Sequence, residues 1–236
     1  MSRFQPNFAI LPEAQKALWP SLAGARSLGM VLYGGTAIAL RLSHRPSVDF
    51  DFFRTDELPS RDILTEALPF LAQSKILQEQ NNTLSVLATP LGDPEKTVNV
   101  SLFGGIHFGR VGTPQLTNDG LVEVASLDDL MSTKLKVIMQ RVLAKDYRDV
   151  VALLGAGIDL SRGLAAAQEM YGPAFQPSES LKALTYFHGG DLAELSQMDR
   201  ETLVEAVQQV RELPEVRLVS RNLSKGAREP EIDREL

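Results

Sequence analysis

The stretch YGGTAIALRLSHRPSVDFDFF, Tyr33–Phe53, decides how this chain reads. MVLY (30–33) is a short buried strand, two glycines and a threonine follow, and TAIALRL (36–42) has the pattern of a short helix. VDFDFF (48–53) then reads as another strand. Alternate residues of a strand share a face, so Asp49 and Asp51 point one way while Phe50 and Phe52 point into a core. Two like charges side by side on a sheet face repel. Two readings account for the pair. One is a divalent cation, since Mg²⁺ takes one or two carboxylates plus substrate phosphates. The other is an edge strand with a solvated polar face, where aspartate discourages aggregation.

The Gly-Gly-Thr ahead of it has two readings as well. A glycine turn into a helix N-terminus offers backbone N–H groups and a positive dipole end to a phosphate, with Thr36 adding a hydroxyl. Alternatively, Gly34 and Gly35 make only a tight strand-to-helix turn with Thr36 as N-cap. The spacing fits neither the dinucleotide-binding nor the P-loop fingerprint. Beside a carboxylate pair on the next strand, the turn reads as a phosphate cradle next to a metal site.

Outward from this stretch, residues 12–28 and 60–72 carry helical apolar spacing. Strands are expected at 75–80, 83–89 and 97–103, with Gly104-Gly105 as a hairpin turn toward IHFGRV, and at LVEVA (121–125). From Ser126, whose S-L-D-D suggests a capping box with Asp129, the chain reads as helix to about residue 213. It is broken at Gly155, Gly157, Gly172-Pro173 and Gly189-Gly190. The residues from Pro214 on are rich in charge and poor in apolar side chains, which predicts a loosely held tail. The expected organisation is therefore an α+β fold: an α/β domain over 1–125 built on a mixed sheet with flanking helices, a helical bundle over 126–213 completing the site, and a tail over 214–236.

Composition narrows the function. Hydrophobic residues make up 44% of 236, enough for a substantial core. No cysteine is present, which excludes disulfides, thiolate metal sites and a thiol nucleophile. The three histidines, at 44, 107 and 188, are not paired at ligand spacing. No run reaches the roughly 18 apolar residues of a membrane span, and MSRFQPNFAI is not a signal peptide; the expectation is a cytoplasmic protein with no membrane partner. A net charge of −6 argues against a broadly basic nucleic-acid surface but leaves room for a local basic groove.

A second constellation lies in KLKVIMQRVLAKDYRDVVALL, Lys134–Leu154. Read as helix, Lys134 and Arg141 are seven residues apart and share a face between apolar edges. Asp146 falls within the next apolar arc and Asp149 at its edge. Embedded charge is costly unless it is used or paired. Either these four form a buried structural network, or a lysine placed by carboxylates holds a triphosphate; the two are compatible.

Gly34-Gly35-Thr36, Ser47-x-Asp49-x-Asp51, then Lys134-Leu135, Arg141, Lys145-Asp146 and Asp149 together resemble the AbiEii/AbiGii toxin family of nucleotidyltransferases, in the DNA polymerase β-like superfamily. The resemblance covers roughly residues 28–160. It implies that Asp49 and Asp51 hold Mg²⁺ (or Mn²⁺) on an NTP, and that the Gly34–Thr36 turn with Ser47, Lys134 and Arg141 binds the nucleotide. It also implies that Asp146 or Asp149 orients Lys134 or the accepting hydroxyl. The implied reaction is in-line attack on the α-phosphate with pyrophosphate leaving. The implied acceptor is RNA, notably tRNA 3′ ends, and the implied setting is a toxin beside an antitoxin. Lys145 stands where many relatives carry arginine. Where the superfamily brings a third carboxylate from a later strand, TVNVSLF offers Asn99, with Glu123 as a substitute or a mere strand-edge charge. This departure keeps two alternatives open: a catalytically degenerate nucleotide-binding protein, and a small-molecule nucleotidyltransferase. Arg41, His44, Arg45, Arg54, Arg110, Lys136 and Arg148 are candidates for an RNA groove or plain surface charge. Asp49→Ala and Lys134→Ala are expected to abolish activity and leave the fold.

Overall fold

The computed structural model describes residues 2–90 and 96–225. Eight strands form one mixed sheet: β1 (Arg3–Phe4), β2 (Val31–Tyr33), β3 (Asp49–Phe53), β4 (Lys75–Gln80), β5 (Thr83–Ala88), β6 (Val98–Phe103), β7 (Gln115–Thr117) and β8 (Glu123–Val124), in the order β1-β7-β8-β2-β3-β6-β5-β4. The helices are α1 (Glu13–Leu18), α2 (Gly24–Ser27), α3 (Gly34–Leu42), α4 (Arg61–Ala67), α5 (Leu127–Val137), α6 (Ala144–Gly155), α7 (Leu160–Tyr171), α8 (Pro177–Thr185) and α9 (Gln197–Gln209). The α+β class, with helices gathered in the C-terminal half, is as the sequence implies. Among the described residues no single helix is long and apolar enough to cross a membrane.

The centre of the sheet positions the site. Strand β3 pairs antiparallel with β2 and parallel with β6, and Asp49, Asp51 and Phe53 lie opposite Asn99, Ser101 and Phe103. Phe50 and Phe52 are fully buried on the other face, where Phe50 meets Trp19 with ring centroids 5.9 Å apart. Asp49 and Asp51 are thus not on an edge strand; β3 has a neighbour on each side. Helix α3 contacts β3 and is clasped by α5 and α6, so the helical half closes over the sheet next to the glycine turn.

Several expectations change, each for an identifiable reason. The helix read over 12–28 is broken by Pro20, which opens a 3-10 turn, Trp19–Leu22, between α1 and α2. Pro69 cuts the helix read over 60–72 in the same way. The hairpin at Gly104-Gly105 does not form. Both edges of β6 are already taken, by β3 and β5, so a returning strand has nothing to pair with; instead Gly104 and Gly105 donate their N–H groups to the Asn82 and Asp56 carbonyls. The short strands β1 and β7 pair with each other and were invisible to periodicity at two and three residues. Ser126 does cap α5 through its hydroxyl, which accepts from the Asp129 N–H, but the Asp129 carboxylate accepts from the Ser126 hydroxyl and from the N–H groups of Val111 and Gly112, not from the Ser126 backbone N–H that a capping box requires.

The segment after Pro214 is docked through residue 225, not loosely held. Leu223 is fully buried, Arg110 and Ser220 form a backbone bridge, and the Ser224 hydroxyl donates to Glu123. Val216 and Leu218, packed against Val111, Ala166 and Met170, join the buried Leu223 and a few hydrogen bonds in holding it, too few apolar side chains to stand out in composition. The remainder of the expected tail, 226–236, lies outside the described residues.

Candidate active site

The site grows from the β2–α3 turn. Gly34 sits at φ +74°, and a Cβ there would lie 2.5 Å from Asp51 Oδ2. Both the backbone and the adjoining carboxylate therefore require glycine. A Cβ on Gly35 would lie 2.5 Å from Arg45 Nη2 and 3.1 Å from Ser47 Oγ. The turn thus runs with its backbone bare between the acidic strand and a guanidinium. Tyr33 occupies the N-cap position, and Gly34, Gly35 and Thr36 form the first turn of α3. Thr36 is not the cap. Its hydroxyl, expected to face a phosphate, is buried and donates to the Asp49 carbonyl, tying α3 to β3.

Gly34, Gly35, Ser47, Asp49, Asp51, Lys134 and Arg141 line one cavity of about 530 Å³, a size typical of small-ligand sites. Arg45, Lys136, Lys145 and Asn99 line it too. Burial, and then the charge of Asp49, push the Asp51 carboxyl up to about 6, against the pull of Lys134, Arg141 and Lys145. This is a carboxylate pair short of positive charge. Among the described residues no group of three or more histidines and acids is placed to hold a metal. Two carboxylates beside a phosphate-sized cationic pocket suit a Mg²⁺ that completes its shell with water and phosphate oxygens, rather than an all-protein cage.

Behind the cavity wall lies the ion cluster. Lys134 Nζ is 2.6 Å from Asp146 Oδ1 and 2.6 Å from Asp149 Oδ2; its side chain is 6% exposed and both carboxylates are fully buried. Arg141 Nε donates to Asp146 Oδ2 at 2.8 Å. Arg45 grips Asp149 with two nitrogens, Nε at 2.7 Å and Nη2 at 2.8 Å, and His44 Nε2 lies 2.6 Å from the same carboxylate. Burial works against the charge on Asp149, but the His44 hydrogen bond, the Lys134 charge and Arg45 hold its carboxyl well below the usual range. Asp146 is likewise lowered despite burial, by Arg141 and Lys134. Two carboxylates here serve three permanent cations, so the cluster presents surplus positive charge to the cavity.

The pairing of Lys134 with Arg141 arises differently from the helical-face expectation. Helix α5 ends at Val137 and α6 begins at Ala144, leaving Arg141 in the connection. The two cations meet through Asp146, at the start of α6, not through a shared helix face. Asp146 and Asp149 do not line the cavity. They touch cations, not the space where an acceptor hydroxyl would sit.

Arg45 is the residue that sequence reasoning undervalued, having read it as one scattered charge. A basic residue two positions before Ser47 was the available signal. The other basic residues proposed for a groove separate clearly. Lys136 lines the cavity and donates to the Ala174 carbonyl. Arg41 is half-buried over Phe4, with burial of its guanidinium lowering its pKa to about 10, and bonds Gln115 and the Val124 carbonyl. Arg110 is 2% exposed and bonds the Asn222 and Gly112 carbonyls. Arg54 reaches Asp56, and Arg148 the Glu194 carbonyl. Arg41 and Arg110 are thus engaged in structural hydrogen bonds within the fold.

Comparison with known proteins gives a consistent picture. The sequence model described as "Nucleotidyl transferase AbiEii toxin, Type IV TA system" matches residues 22–219. An uncharacterized protein of Aquifex aeolicus (strain VF5) is 29% identical over 124 residues, 52% of this chain and 56% of its own length, so the chain spans little more than half of that relative. Two solved structures share the fold. An antigenic nucleotidyltransferase-like protein from Paracoccidioides brasiliensis superposes with a TM-score of 0.50 at 17% identity, covering 85% of this chain and 94% of its own. MenT4, a nucleotidyltransferase toxin of Mycobacterium tuberculosis H37Rv, superposes with a TM-score of 0.51 at 16% identity, covering 84% and 86%.

Proposed function

This chain belongs to the AbiEii nucleotidyl transferase toxin family, and from that premise we propose that it moves a nucleoside monophosphate from an NTP to an acceptor hydroxyl. The observation that carries the proposal is the arrangement of Asp49 and Asp51 on one sheet face, opening with the Gly34-Gly35 turn, Lys134 and Arg141 onto a single cavity.

Asp49 and Asp51 would hold a divalent cation, Mg²⁺ or Mn²⁺. When bound, that cation supplies charge neutralisation and alignment for the triphosphate. The backbone N–H groups at the start of α3, the Ser47 hydroxyl and the Arg45 guanidinium bind phosphate oxygens. Lys134 and Arg141 meet the charge that develops as the acceptor oxygen bonds to the α-phosphorus and pyrophosphate departs. Asp146 and Asp149 act one step back: they fix Lys134, Arg141 and Arg45 so that no reorganisation is needed during the reaction. The acceptor proposed is the tRNA 3′ end, with Lys136 and Lys145 at the cavity rim as the first phosphate contacts. An antitoxin partner is proposed from the family description, and an intracellular setting from the substrates.

A second reading has its own observation. Asn99 stands beside Asp49, its side-chain oxygen accepting from Ser85 Oγ at 3.1 Å, so a neutral amide occupies the position where a third carboxylate would stand. A nucleotide-binding protein with little or no transfer activity would look like this.

The two readings separate when the protein is incubated with Mg²⁺, each α-³²P-labelled NTP in turn and total bacterial tRNA, alongside Asp49→Ala. Label on tRNA that is lost in the variant supports the transferase and identifies its nucleotide. NTP binding without label on RNA or protein supports the second reading.

A further inference from the structure

The row of side chains on the site face of β3 does not end with the aspartates. Phe53 follows Asp51 on the same face, and on β6 Phe103 follows Asn99 and Ser101, with Phe53 and Phe103 directly opposite each other. Both rings are half-buried and line the same cavity, as does Phe108. Phe103 stands against Phe53 at 83°, with centroids 5.3 Å apart, and Phe108 meets Phe53 edge-on at 6.2 Å. On the same sheet face, Tyr33, which lies opposite Asp51 on β2, stacks beside Phe53 at 5.0 Å and 17°, fixing its plane. Ile106 and Val137 add further apolar lining to the cavity. The cavity therefore has two characters: the carboxylates with Lys134 and Arg141, and an aromatic corner whose Phe108 packs on Tyr171, with Lys136 lying over the Tyr171 ring.

We propose that this corner seats the base of the incoming nucleoside triphosphate, stacking the flat heterocycle on one ring and meeting it edge-on with another. The inference rests on the reading that the Asp49–Asp51 end holds the metal-bound triphosphate. Two residues of extended chain, about 7 Å, separate Asp51 from Phe53, which leaves room for a ribose between phosphates and base. A contiguous group of half-buried aromatic rings open to a cavity is the mark of a ligand-binding groove. Every base offers such a face, so the corner selects nucleotides over base-free polyphosphates.

The test is equilibrium binding in Mg²⁺ of each NTP and of inorganic tripolyphosphate, to the wild type, Phe103→Ala, Phe103→Leu and Phe103→Trp. The wild type is expected to bind its NTP more tightly than tripolyphosphate. Phe103→Ala and Phe103→Leu are expected to lose about tenfold in NTP affinity while keeping their affinity for tripolyphosphate, which also reports an intact fold. Phe103→Trp retains NTP affinity, and its fluorescence is quenched by NTP but not by tripolyphosphate. NTP affinity unchanged in Phe103→Ala, or equal wild-type affinity for NTP and tripolyphosphate, overturns the proposal while leaving the phosphate site standing. Failure of the wild type to bind either ligand overturns the nucleotidyltransferase reading itself, and the base seat with it.

Discussion

Asp49 lies directly opposite Asn99 across the parallel β3–β6 pair, so the position best placed to give a third carboxylate carries an amide. An amide is a weak metal ligand and no base. Asn99→Asp is expected to lower the Mg²⁺ concentration for half-maximal NTP turnover or binding by about tenfold, since each added carboxylate strengthens a hard-cation site. A Mg²⁺ titration of both proteins reads the change. An unaltered midpoint would mean that this position does not reach the cation.

Asp51 is the strained partner of the acidic pair, its carboxylate largely withdrawn from water beside another negative charge. Asp51→Asn removes that repulsion. The metal-free variant is expected to melt a few degrees above the wild type, on the order of 1–2 kcal/mol. It should also lose the rise in melting temperature that Mg²⁺ and NTP give the wild type. Scanning calorimetry with and without ligand tests both halves.

Lys134 cannot be removed as innocently as the sequence suggests. It is the buried counter-charge for two fully buried carboxylates. Lys134→Ala is therefore expected to cost about 3–5 kcal/mol of stability as well as activity. Asp49→Ala, at a half-buried position facing the cavity, should abolish activity with the fold retained. Urea denaturation separates the two cases.

Asp149 carries a pH signature. Its folded-state carboxyl ionises well below the ordinary range, despite burial, because of His44, Lys134 and Arg45. A depressed carboxylate contributes stability that is present above the unfolded value, near pH 4, and is lost as the pH falls further toward the folded value. The wild type is expected to lose stability progressively below about pH 4.5. Asp149→Asn should be less stable at pH 7 but lose less on acidification. Denaturation midpoints between pH 7 and pH 3 give the comparison; parallel curves would contradict it.

How much of this was legible in the sequence depends on how local the signal was. The Asp49–Asp51 face follows from strand alternation alone, and the glycine turn from its place between a strand and a helix. The fold class was visible because helical spacing dominates after Ser126. Arg45 was not legible, because its partner Asp149 is 104 residues away in sequence. The break between α5 and α6 escaped the wheel because Ile138, Met139 and Val142 keep helical apolar spacing where the chain turns. The docking of Leu223 and Ser224 rests on one side chain and a Glu123 contact made 101 residues apart, which no composition window resolves. Phe53 and Phe103 obey the same two-residue alternation as the aspartates; the pairing of β3 with β6 was the missing piece.

The central claim is that the Asp49–Asp51 face directs transfer of a nucleoside monophosphate. Parallel reactions with α-³²P- and γ-³²P-labelled NTP, Mg²⁺ and total tRNA, with wild type and Asp49→Ala, test it most directly. The expected result is label in the RNA from the α position only, with the γ label released in pyrophosphate and neither reaction seen in the variant. Label carried from the γ position, or α-label transfer that persists in Asp49→Ala, would contradict the account.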